Sequence, residues 1–565
     1  MEAALRRVGL GNALKRLSWG LALALGLLLG APFLALIVSL AADPSLWSSI
    51  LKPLNLEAAG NTLMLVVGVL AVAWGLGAPL GFLFGRTRFA AFERLMLWCT
   101  LPYVIPPYIT AIAWIALLNP QNGLLNRPLL AAGLPPVNIY SLGGMIFVIG
   151  LETTPLVMLA VADGLKRMDS SFEEQARMAG ASPWRVASTI TLPLILPRLV
   201  SAGSMAIATA AASYGVPYLL ASGTTDPDIV LTTRIAQALD LPPATGRPVA
   251  LALSLVLLLL GLGIGGMLKW LLGRRRFTLV TGKSTRASAF ELGRLQPLAV
   301  AFLVLYLAVG VVLPVATVAV TSILQNFGGG LGLENLTLAN YAHVLLGRAD
   351  TLPSIGRSLG LAFAAATAAV GLGVAIAWNR VRNTGRLTRA VTQLAQLPYA
   401  IPGTVLALGL ILAWSQEIRL ITPVATFVLA LGHSIVLIGM AYTLKFLAIP
   451  VGNHETALEA VDPALEEAAR ISGAGPFASF RNITGPLLLP TMLTSWWLVF
   501  LPAFTEVTMS ILLAGPSHRV VGTLLFDLQT YGDPPLAAVL AMVVLGIALT
   551  GNTLLRSLTR YLERT

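Results

Sequence analysis

The sequence predicts an all-α polytopic membrane protein with about twelve transmembrane helices, arranged as two parallel six-helix repeats. Three observations support this fold class: the composition, the number of long apolar stretches and an internal repeat. Apolar residues make up 56% of the 565 residues and charged residues 11%, whereas soluble domains average about 25% charged residues. So few charges could not cover the surface of a soluble domain of this length. The single cysteine, Cys99, excludes a disulfide scaffold.

Each predicted span has about 20 mostly apolar residues, the length that crosses the hydrocarbon core of a bilayer. The twelve stretches lie at about 19–42, 61–85, 95–118, 141–164, 194–220, 248–272, 296–322, 355–378, 389–414, 421–447, 487–513 and 534–556. The first stretch follows basic residues and could be a secretory signal. Its apolar core is longer than the roughly 7–15 residues of a signal, so we interpret it as a span.

The basic residues assign an orientation to these spans. The net charge of +12 and the pI of about 10.1 would also suit a nucleic-acid-binding protein. With the N-terminus placed in the cytoplasm, however, 28 of the 37 Lys and Arg residues fall on the cytoplasmic side and 8 on the opposite side. The positive-inside rule expects this distribution. We therefore predict cytoplasmic N- and C-termini and no nucleic-acid partner.

An internal repeat divides the chain into two halves. The segment Leu101–Pro106 returns as Leu397–Pro402, and Glu173–Pro183 returns as Glu466–Pro476 at nearly the same offset. Because each half has an even number of spans, both halves cross the membrane in the same sense and are parallel repeats. The predicted division is an N-terminal half at 1–272, a cytoplasmic linker at 273–295 and a C-terminal half at 296–565.

Each half carries a polar segment between its fourth and fifth spans, and its pattern predicts a short helix. These two stretches, called the repeated segments below, are about 165–193 and 453–486. In the second segment Asp462 can cap a helix whose first position is Pro463. In the first segment Asp169 or Ser170 can serve as the cap, and Ser170 with Glu173 makes a capping box.

Glycines are expected to end both short helices. Gly180 and Gly473 stand where a left-handed residue commonly stops a helix. A second helix then begins at Pro183 or Pro476 and is predicted to end at the membrane boundary, at Pro193 or Pro486. One such bent pair could simply anchor a loop at the membrane surface. Two copies on the same side indicate twin docking surfaces for a partner with two-fold symmetry.

The pattern Glu-Glu-x-Ala-x-x-x-Gly followed by Ile-x-x-Pro resembles the EAA loop of binding-protein-dependent ABC importer permeases. The resemblance implies a type I (MetI-like) permease fold with two halves fused in one polypeptide. It also implies that the loops form coupling helices, which sit in clefts of two ATPase subunits and transmit their closure to the spans. The residues that match this motif are Glu173, Glu174, Ala176, Gly180, Glu466, Glu467, Ala469 and Gly473.

The resemblance further implies the partners of the chain. These are two copies of an ABC ATPase that hold ATP and Mg²⁺, an extracytoplasmic solute-binding protein, and the lipid of a bacterial cytoplasmic membrane. One fused chain per complex is expected. No large extracytoplasmic domain is available to capture a solute, so the longer outer loops could only receive a separate binding protein. These loops lie at about 119–140, 221–247 and 323–354.

No convincing nucleotide-binding motif occurs in this chain. Gly282-Lys283-Ser284 mimics the end of a phosphate-binding loop, but Phe277 stands where that loop requires glycine. We therefore predict that the chain is not an enzyme and binds no cofactor. Four scattered histidines and one cysteine also predict no stable metal site.

Polar residues inside the spans are candidates for the translocation pathway or for a gate. Ionisable groups in a membrane are costly and usually face a cavity or a partner. Each could instead make a buried interhelical hydrogen bond or lie at the outer interface. The candidates are Glu152, Tyr214, His433, Glu506, Tyr103 and Tyr399.

The residues alone indicate only a small solute. The fused layout and segments such as Tyr214–Pro217 and Leu397–Thr404 resemble ferric iron permeases, so ferric iron is the predicted substrate. Permeases for thiamine, 2-aminoethylphosphonate or polyamines share the architecture and stay open as alternatives. Two buried carboxylates would suit a hard cation and a polyamine equally well. A secondary transporter driven by an ion gradient, with Glu152 and Glu506 as ion sites, is a further alternative.

Overall fold

Helices dominate the fold, which confirms the predicted all-α class. The computed structural model describes residues 16–42, 45–166, 168–169, 171–225, 227–273, 290–383, 385–414, 418–421, 426–429, 431–432, 434–531 and 533–562. Within these residues two short strands, β1 (Ile418–Ile421) and β2 (Thr426–Leu429), pair antiparallel with Ile418 opposite Leu429.

The helices follow one another in the order of the predicted spans. Those before the linker are α1 (Ala31–Ala42), α2 (Ser45–Ile50), α3 (Pro53–Arg86), α4 (Glu93–Cys99), α5 (Leu101–Val104), α6 (Pro107–Leu118), α7 (Asn126–Ala131), α8 (Leu142–Lys166), α9 (Ser171–Met178), α10 (Pro183–Val186), α11 (Leu192–Ala212), α12 (Gly215–Ala221), α13 (Leu231–Leu239) and α14 (Pro243–Gly273). Those after the linker are α15 (Gln296–Leu307), α16 (Leu313–Ser322), α17 (Ala339–Ala342), α18 (Thr351–Arg382), α19 (Arg386–Ala400), α20 (Gly403–Trp414), α21 (Ile435–Phe446), α22 (Ala448–Ala460), α23 (Pro463–Ile471), α24 (Pro476–Ser479), α25 (Gly485–Phe504), α26 (Thr508–Leu513), α27 (Val521–Tyr531) and α28 (Pro534–Leu562).

Most of the predicted spans have a counterpart in the structure. By length and composition, nine helices of the described chain could cross a membrane, or up to eleven if each of two bent helix pairs is one span. These eleven correspond to every predicted span except the third, at 95–118. That stretch is divided into α4, α5 and α6, because Pro102 and Pro106 remove backbone donors and restrict the residues before them.

The predicted bounds of the tenth span, 421–447, are wrong. α21 begins only at Ile435; it meets α22 at a bend of 42°, and the two helices together could form one broken span. Part of the apolar stretch before it forms β1 and β2, whose β-branched residues favour strands. The predicted topology counted Lys445 among the cytoplasmic residues although it lies within the predicted bounds; in the structure it is on α21 and α22 follows it.

The described chain packs as two compact units. The N-terminal unit comprises the described residues of Trp47–Ala342 and Phe526–Met542, and the C-terminal unit comprises those of Met1–Leu46, His343–Leu525 and Val543–Thr565. The first span of each predicted half therefore belongs to the unit built mainly from the other half. In the C-terminal unit α1 packs on α20, where a Cβ atom on Gly409 would lie 3.3 Å from Cβ of Pro32. In the N-terminal unit the hydroxyl of Tyr306, on α15, donates to the carbonyl of Cys99 at 3.1 Å.

Close packing of α3 against α8 builds much of the core of the N-terminal unit. Gly77, Gly81 and Gly85 lie four residues apart on α3 and so share one helix face. A Cβ atom on Gly81 would lie 2.6 Å from Cβ of Val161 and 2.7 Å from the carbonyl oxygen of Met158. Small residues allow such close approach between membrane helices. The sequence analysis missed this stripe, although its Gly-x-x-x-Gly spacing is a readable signal.

Candidate functional site

Both repeated segments contain the predicted capped helix, α9 in the first and α23 in the second. Asp169 Oδ1 accepts a hydrogen bond from the Ser171 N–H at 2.9 Å, and Asp462 Oδ1 accepts one from the Ala464 N–H at 2.9 Å. Each bond satisfies an N–H group that the first turn of a helix leaves unpaired. The predicted helix starts are confirmed, while Ser170, the other predicted cap, lies outside the described residues.

Glycine in a left-handed conformation ends both helices, as predicted. The φ angle is +85° at Gly180 and +90° at Gly473. The next residue then donates its N–H back to the helix, so that Ala181 bonds the carbonyl of Ala176 at 3.0 Å. The corresponding bond in the second segment, from Ala474 to Ala469, is also 3.0 Å. This arrangement satisfies carbonyl groups that a helix end would otherwise leave unpaired.

The predicted end of the second helix is wrong in both segments. α10 continues through a π-helical turn, Ala187–Thr191, into α11, and the candidate span is the whole of Trp184–Ala212. The second segment repeats this as Phe477–Phe504. Pro193 does not end the helix because it lies in the first turn of α11, directly after the wider π-helical turn, where a missing N–H is tolerated.

The two adjacent glutamates of each segment face different surroundings. Glu173 and Glu466 are buried, at 8% and 6% exposure, whereas Glu174 and Glu467 are exposed. The other motif positions also have the same burial in the two segments. Ala176 and Ala469 are half-buried, and Gly180 and Gly473 are exposed. The motif thus has an inward carboxylate and an outward one, although the sequence pattern gave both the same role.

Each segment exposes three large apolar side chains at equivalent positions. They will be called the exposed apolar triads, and they are Phe172, Met178 and Trp184 in the first segment and Leu465, Ile471 and Phe477 in the second. Met178 and Trp184 are about four-fifths exposed, and their counterparts are exposed to 86% and 76%. Matching exposure of large apolar groups in two copies is typical of a surface that binds a partner.

The last residues of the linker contact the first repeated segment. The Phe290 N–H donates to the carbonyl of Arg86 at 2.7 Å, and Arg88 forms an ion pair with Glu291 at 2.8 Å. The guanidinium of Arg177, on α9, lies 5.1 Å from the centre of the Phe290 ring, within the range of a cation–π contact. The linker end, α3 and α9 therefore meet at one place in the N-terminal unit.

The pathway candidates of the N-terminal unit occupy separate elements. Glu152 is half-buried on α8, and Tyr103 is 45% exposed on α5. Tyr214 is buried at the break between α11 and α12, where its ring stacks on Tyr218 with centroids 5.4 Å apart. A pathway role for these three residues stays a prediction.

In the C-terminal unit a lysine brings two of the candidates together. Lys445 Nζ donates to the carbonyl of Ile401 at 2.5 Å and lies 3.5 Å from that of Tyr399; its charge also interacts with Glu506. The Glu506 carboxylate accepts the N–H of Met509 at 2.9 Å, at the start of α26. The sequence analysis missed Lys445, although a lysine within an apolar run is itself a signal. His433, the remaining candidate, lies outside the described residues.

The outer loops of the N-terminal unit are joined to each other. Arg127 Nη2 donates to the carbonyls of Phe327 at 3.1 Å and Gly328 at 3.3 Å, which links the loop at 119–140 to the loop at 323–354.

Across the described residues, no group of three or more His, Cys, Asp or Glu could hold a metal ion.

An ion cluster lies at the start of α18 in the C-terminal unit. Arg348 donates to both carboxylate oxygens of Asp350, at 3.2 and 3.0 Å, and Arg519 lies 3.5 Å away. The Arg348 hydrogen bonds hold the pKa of Asp350 below its usual value, although burial acts against them. The carboxyl therefore stabilises the fold above its unfolded pKa of about 3.9. This contribution is lost as the pH falls through the lower folded pKa.

We expect Asp350→Asn to lower the melting temperature slightly at neutral pH and to flatten its decline as the pH falls below the unfolded pKa of about 3.9. Thermal unfolding of the purified chain in detergent measures this decline. Glu334→Gln, at an exposed loop position, serves as the control and should keep the parent profile. An Asp350→Asn profile identical in shape to the parent would contradict the expected linkage.

Comparison with known proteins identifies the family. The chain matches the family described as "Binding-protein-dependent transport system inner membrane component" over residues 77–277 and again over 369–565. It is 28% identical over 407 residues to "Probable ABC transporter permease protein y4fN" of Sinorhizobium fredii, covering 70% of this chain and 68% of that protein. It is 25% identical over 521 residues to the Fe(3+)-transport system permease protein FbpB 2 of Haemophilus influenzae, covering 89% and 90%.

A third relative is shorter than this chain and is named for a different solute. The molybdate/tungstate transport system permease protein WtpB of Thermococcus kodakarensis is 27% identical over 169 residues, covering 30% of this chain and 62% of that protein. The family match covers more than half of the chain and occurs once in each predicted half. The chain therefore belongs to the inner membrane components of binding-protein-dependent transport systems, the permease subunits of ABC importers, and carries their domain twice.

Proposed function

We propose that this chain is the fused permease of an ATP-driven importer, in which two separate ATPase subunits bind the two repeated segments. The observation that carries this proposal is the pair of exposed apolar triads. Two members of each triad lie on a short capped helix that ends at a left-handed glycine and the third lies on the next helix, and the two copies have matching exposure. Two equivalent sites on one chain suit a partner that is itself present twice.

The ATPases supply the energy, since ATP and Mg²⁺ belong to those subunits in this proposal and the chain itself catalyses no reaction. When the ATPases close, they would move α9 and α23 and so switch the spans between outward and inward access. The motif residues with outward positions, Glu174, Gly180 and their repeats, would lie at the ATPase contact. The chain would act in a bacterial cytoplasmic membrane, with both termini and both repeated segments in the cytoplasm.

Ferric iron is the proposed solute, delivered by an extracytoplasmic binding protein that docks on the outer loops. The relative FbpB 2, which covers 89% of this chain, is named for Fe(3+) transport. Within this family the solute varies, because WtpB is named for molybdate and tungstate. Thiamine, 2-aminoethylphosphonate and polyamines stay alternatives, and uptake of ⁵⁵Fe³⁺ by cells expressing the complete system, in competition with each of these, distinguishes them.

The docking proposal is tested by purifying the tagged chain from its host membranes and measuring vanadate-sensitive ATP hydrolysis. We expect the parent chain to carry ATPase activity. We also expect a variant with Met178, Trp184, Ile471 and Phe477 all replaced by glutamate to lose it while staying monodisperse. A control with glutamate at Leu333, an exposed apolar residue of the loop at 323–354, should keep the ATPase. Ion-gradient-driven uptake by the parent chain alone, without ATPase, would overturn the proposal, as would full activity of the fourfold variant.

The half-buried carboxylate of Glu152 provides a separate test of the pathway. We expect Glu152→Gln to lower uptake by about tenfold, because an ionisable group within a span is costly and usually faces a cavity or a partner. ATP hydrolysis by the assembled complex should change much less. Glu57→Gln, on the exposed surface of α3, is the matched control. Unchanged uptake in Glu152→Gln would remove this residue from the pathway.

A further inference from the structure

The buried glutamate of each repeated segment has the same two partners in both units. Glu173 Oε1 accepts the hydroxyl of Thr191 at 2.5 Å, and Arg86 Nη2 lies 3.5 Å from Oε2. In the C-terminal unit, Glu466 Oε1 accepts the hydroxyl of Thr484 at 2.8 Å, and Arg382 Nε lies 3.0 Å from Oε2. The arginine, glutamate and threonine recur at the offsets of the internal repeat. This set will be called the arginine clamp.

Each arginine clamp joins three different helical elements. The arginine is the last residue of a long span, Arg86 on α3 and Arg382 on α18. The glutamate lies on the short helix of the repeated segment, and the threonine ends the π-helical turn that leads into the next long helix. Movement of α9 or α23 is therefore passed first to the inner end of one span and to the start of another.

Because they are buried, the arginine and the glutamate of each clamp need each other as charge partners. The side chains of Arg86 and Glu173 are 3% and 11% exposed, and those of Arg382 and Glu466 are 12% and 8% exposed. A charge in such surroundings is stable only when its partner stays close. The arginine therefore stays beside the glutamate when the short helix shifts. The end of the span must then move with the helix, or the ion pair between the two side chains breaks.

The two clamps differ in their geometry. Arg382 donates to both oxygens of Glu466, at 3.0 and 3.2 Å, in the paired manner that a guanidinium allows. Arg86 approaches Glu173 with one nitrogen, which also donates to the carbonyl of Met168 at 3.4 Å. Its Nε and Nη1 are buried and have no hydrogen-bond partner among the described residues. The same set of residues thus has a tight form with two bonds and a loose form with one.

We infer that Arg86 and Arg382 are positioning residues that transmit the movement of the repeated segments to the spans, and that the tight and loose forms are two stages of that movement. This inference rests on the proposed function, because it presumes that ATPases displace α9 and α23. It adds to that proposal the contact through which a displacement of α9 or α23 would reach the ends of α3 and α18. Arg86 and Arg382 lie outside the resemblance to the EAA loop.

The test uses Arg86→Lys with Arg382→Lys in the complete transporter. Lysine keeps the charge but lacks the planar fork that donates two parallel bonds. The quantity measured is solute transported per ATP hydrolysed in proteoliposomes, with the amount of bound ATPase determined in parallel. We expect this ratio to fall by about tenfold while ATPase binding is unchanged. A purely structural contact would lower the yield of the complex but leave the ratio intact.

Arg380→Lys is the matched control, since Arg380 lies in the same last turn of α18 and pairs with Glu455 at 3.6 Å. It should keep the parent ratio. If the double lysine variant does not assemble, Thr191→Val with Thr484→Val weakens the clamp and leaves the ion pairs, and it should lower the ratio by a smaller factor. A parent ratio in either double variant would overturn the inference and leave the proposed function standing. A parent complex without ATPase would overturn the proposed function itself.

Discussion

Valine at both Gly180 and Gly473 is expected to abolish solute uptake while ATP hydrolysis continues. Both glycines have φ angles near +90°, a region that β-branched residues almost never adopt. A Cβ atom at either position would meet no atom within 4 Å, so the penalty comes entirely from the backbone. A strained conformation of this kind costs about 1–3 kcal/mol at each site. The helix ends would therefore open, and α9 and α23 would no longer present fixed surfaces.

The measurement is solute uptake and ATP hydrolysis in the same proteoliposome preparation. Asparagine at both positions is the first control, since it tolerates the left-handed region better than valine and should restore much of the uptake. Gly475→Val is the second control, because Gly475 follows the stop, has no positive φ and also has open space around it. Coupled uptake at the parent level in the valine double variant would contradict the role of these stops.

Gly81→Leu is expected to prevent the N-terminal unit from folding. The first atom of any side chain at this position would overlap Val161 and the backbone of Met158, at 2.6 and 2.7 Å. Because one of these neighbours is a backbone carbonyl, α3 and α8 would have to separate along their shared face. Overpacking a core costs about 1–3 kcal/mol even where side chains can move, and the movement of two helices should cost more.

Size-exclusion chromatography of a fluorescently tagged chain in mild detergent reports the folded fraction. Gly75→Leu is the control on the same helix, since a Cβ atom there would meet no atom within 4 Å. It should keep the monodisperse peak of the parent, whereas Gly81→Leu should move most of the protein into aggregates. A folded Gly81→Leu chain with a parent melting temperature would show that α3 and α8 tolerate a wider separation.

Features that depend on neighbouring residues could be predicted from the sequence. Asp462 and Pro463 define the start of α23 and Gly473 defines its stop, because caps and left-handed stops act locally. The spans follow equally from length and apolar content. The tenth span was misplaced because the apolar run at 421–434 has no helical or strand period that would separate a hairpin from a helix.

Features that depend on distant residues were missed. Arg86 and Glu173 are far apart in the sequence, and only the folded structure shows that their side chains lie 3.5 Å apart. Lys445 was counted with the cytoplasmic residues because it lies two residues before the predicted end of its span. Glu506 was assigned to the pathway, and its contacts with Met509 show that it also caps a helix. Burial and pairing decide such roles, and a single sequence contains neither directly.

The first span of each half packs in the unit built mainly from the other half, and this limits how the gene could be divided. If the chain were severed within residues 274–289, the leading fragment would carry α1, which completes the C-terminal unit, and the trailing fragment would carry α15 and α16, which complete the N-terminal unit. Each fragment would depend on the other for helices that its own sequence does not contain. Two cistrons could therefore replace the single one, provided that both are translated together, and neither fragment would persist alone.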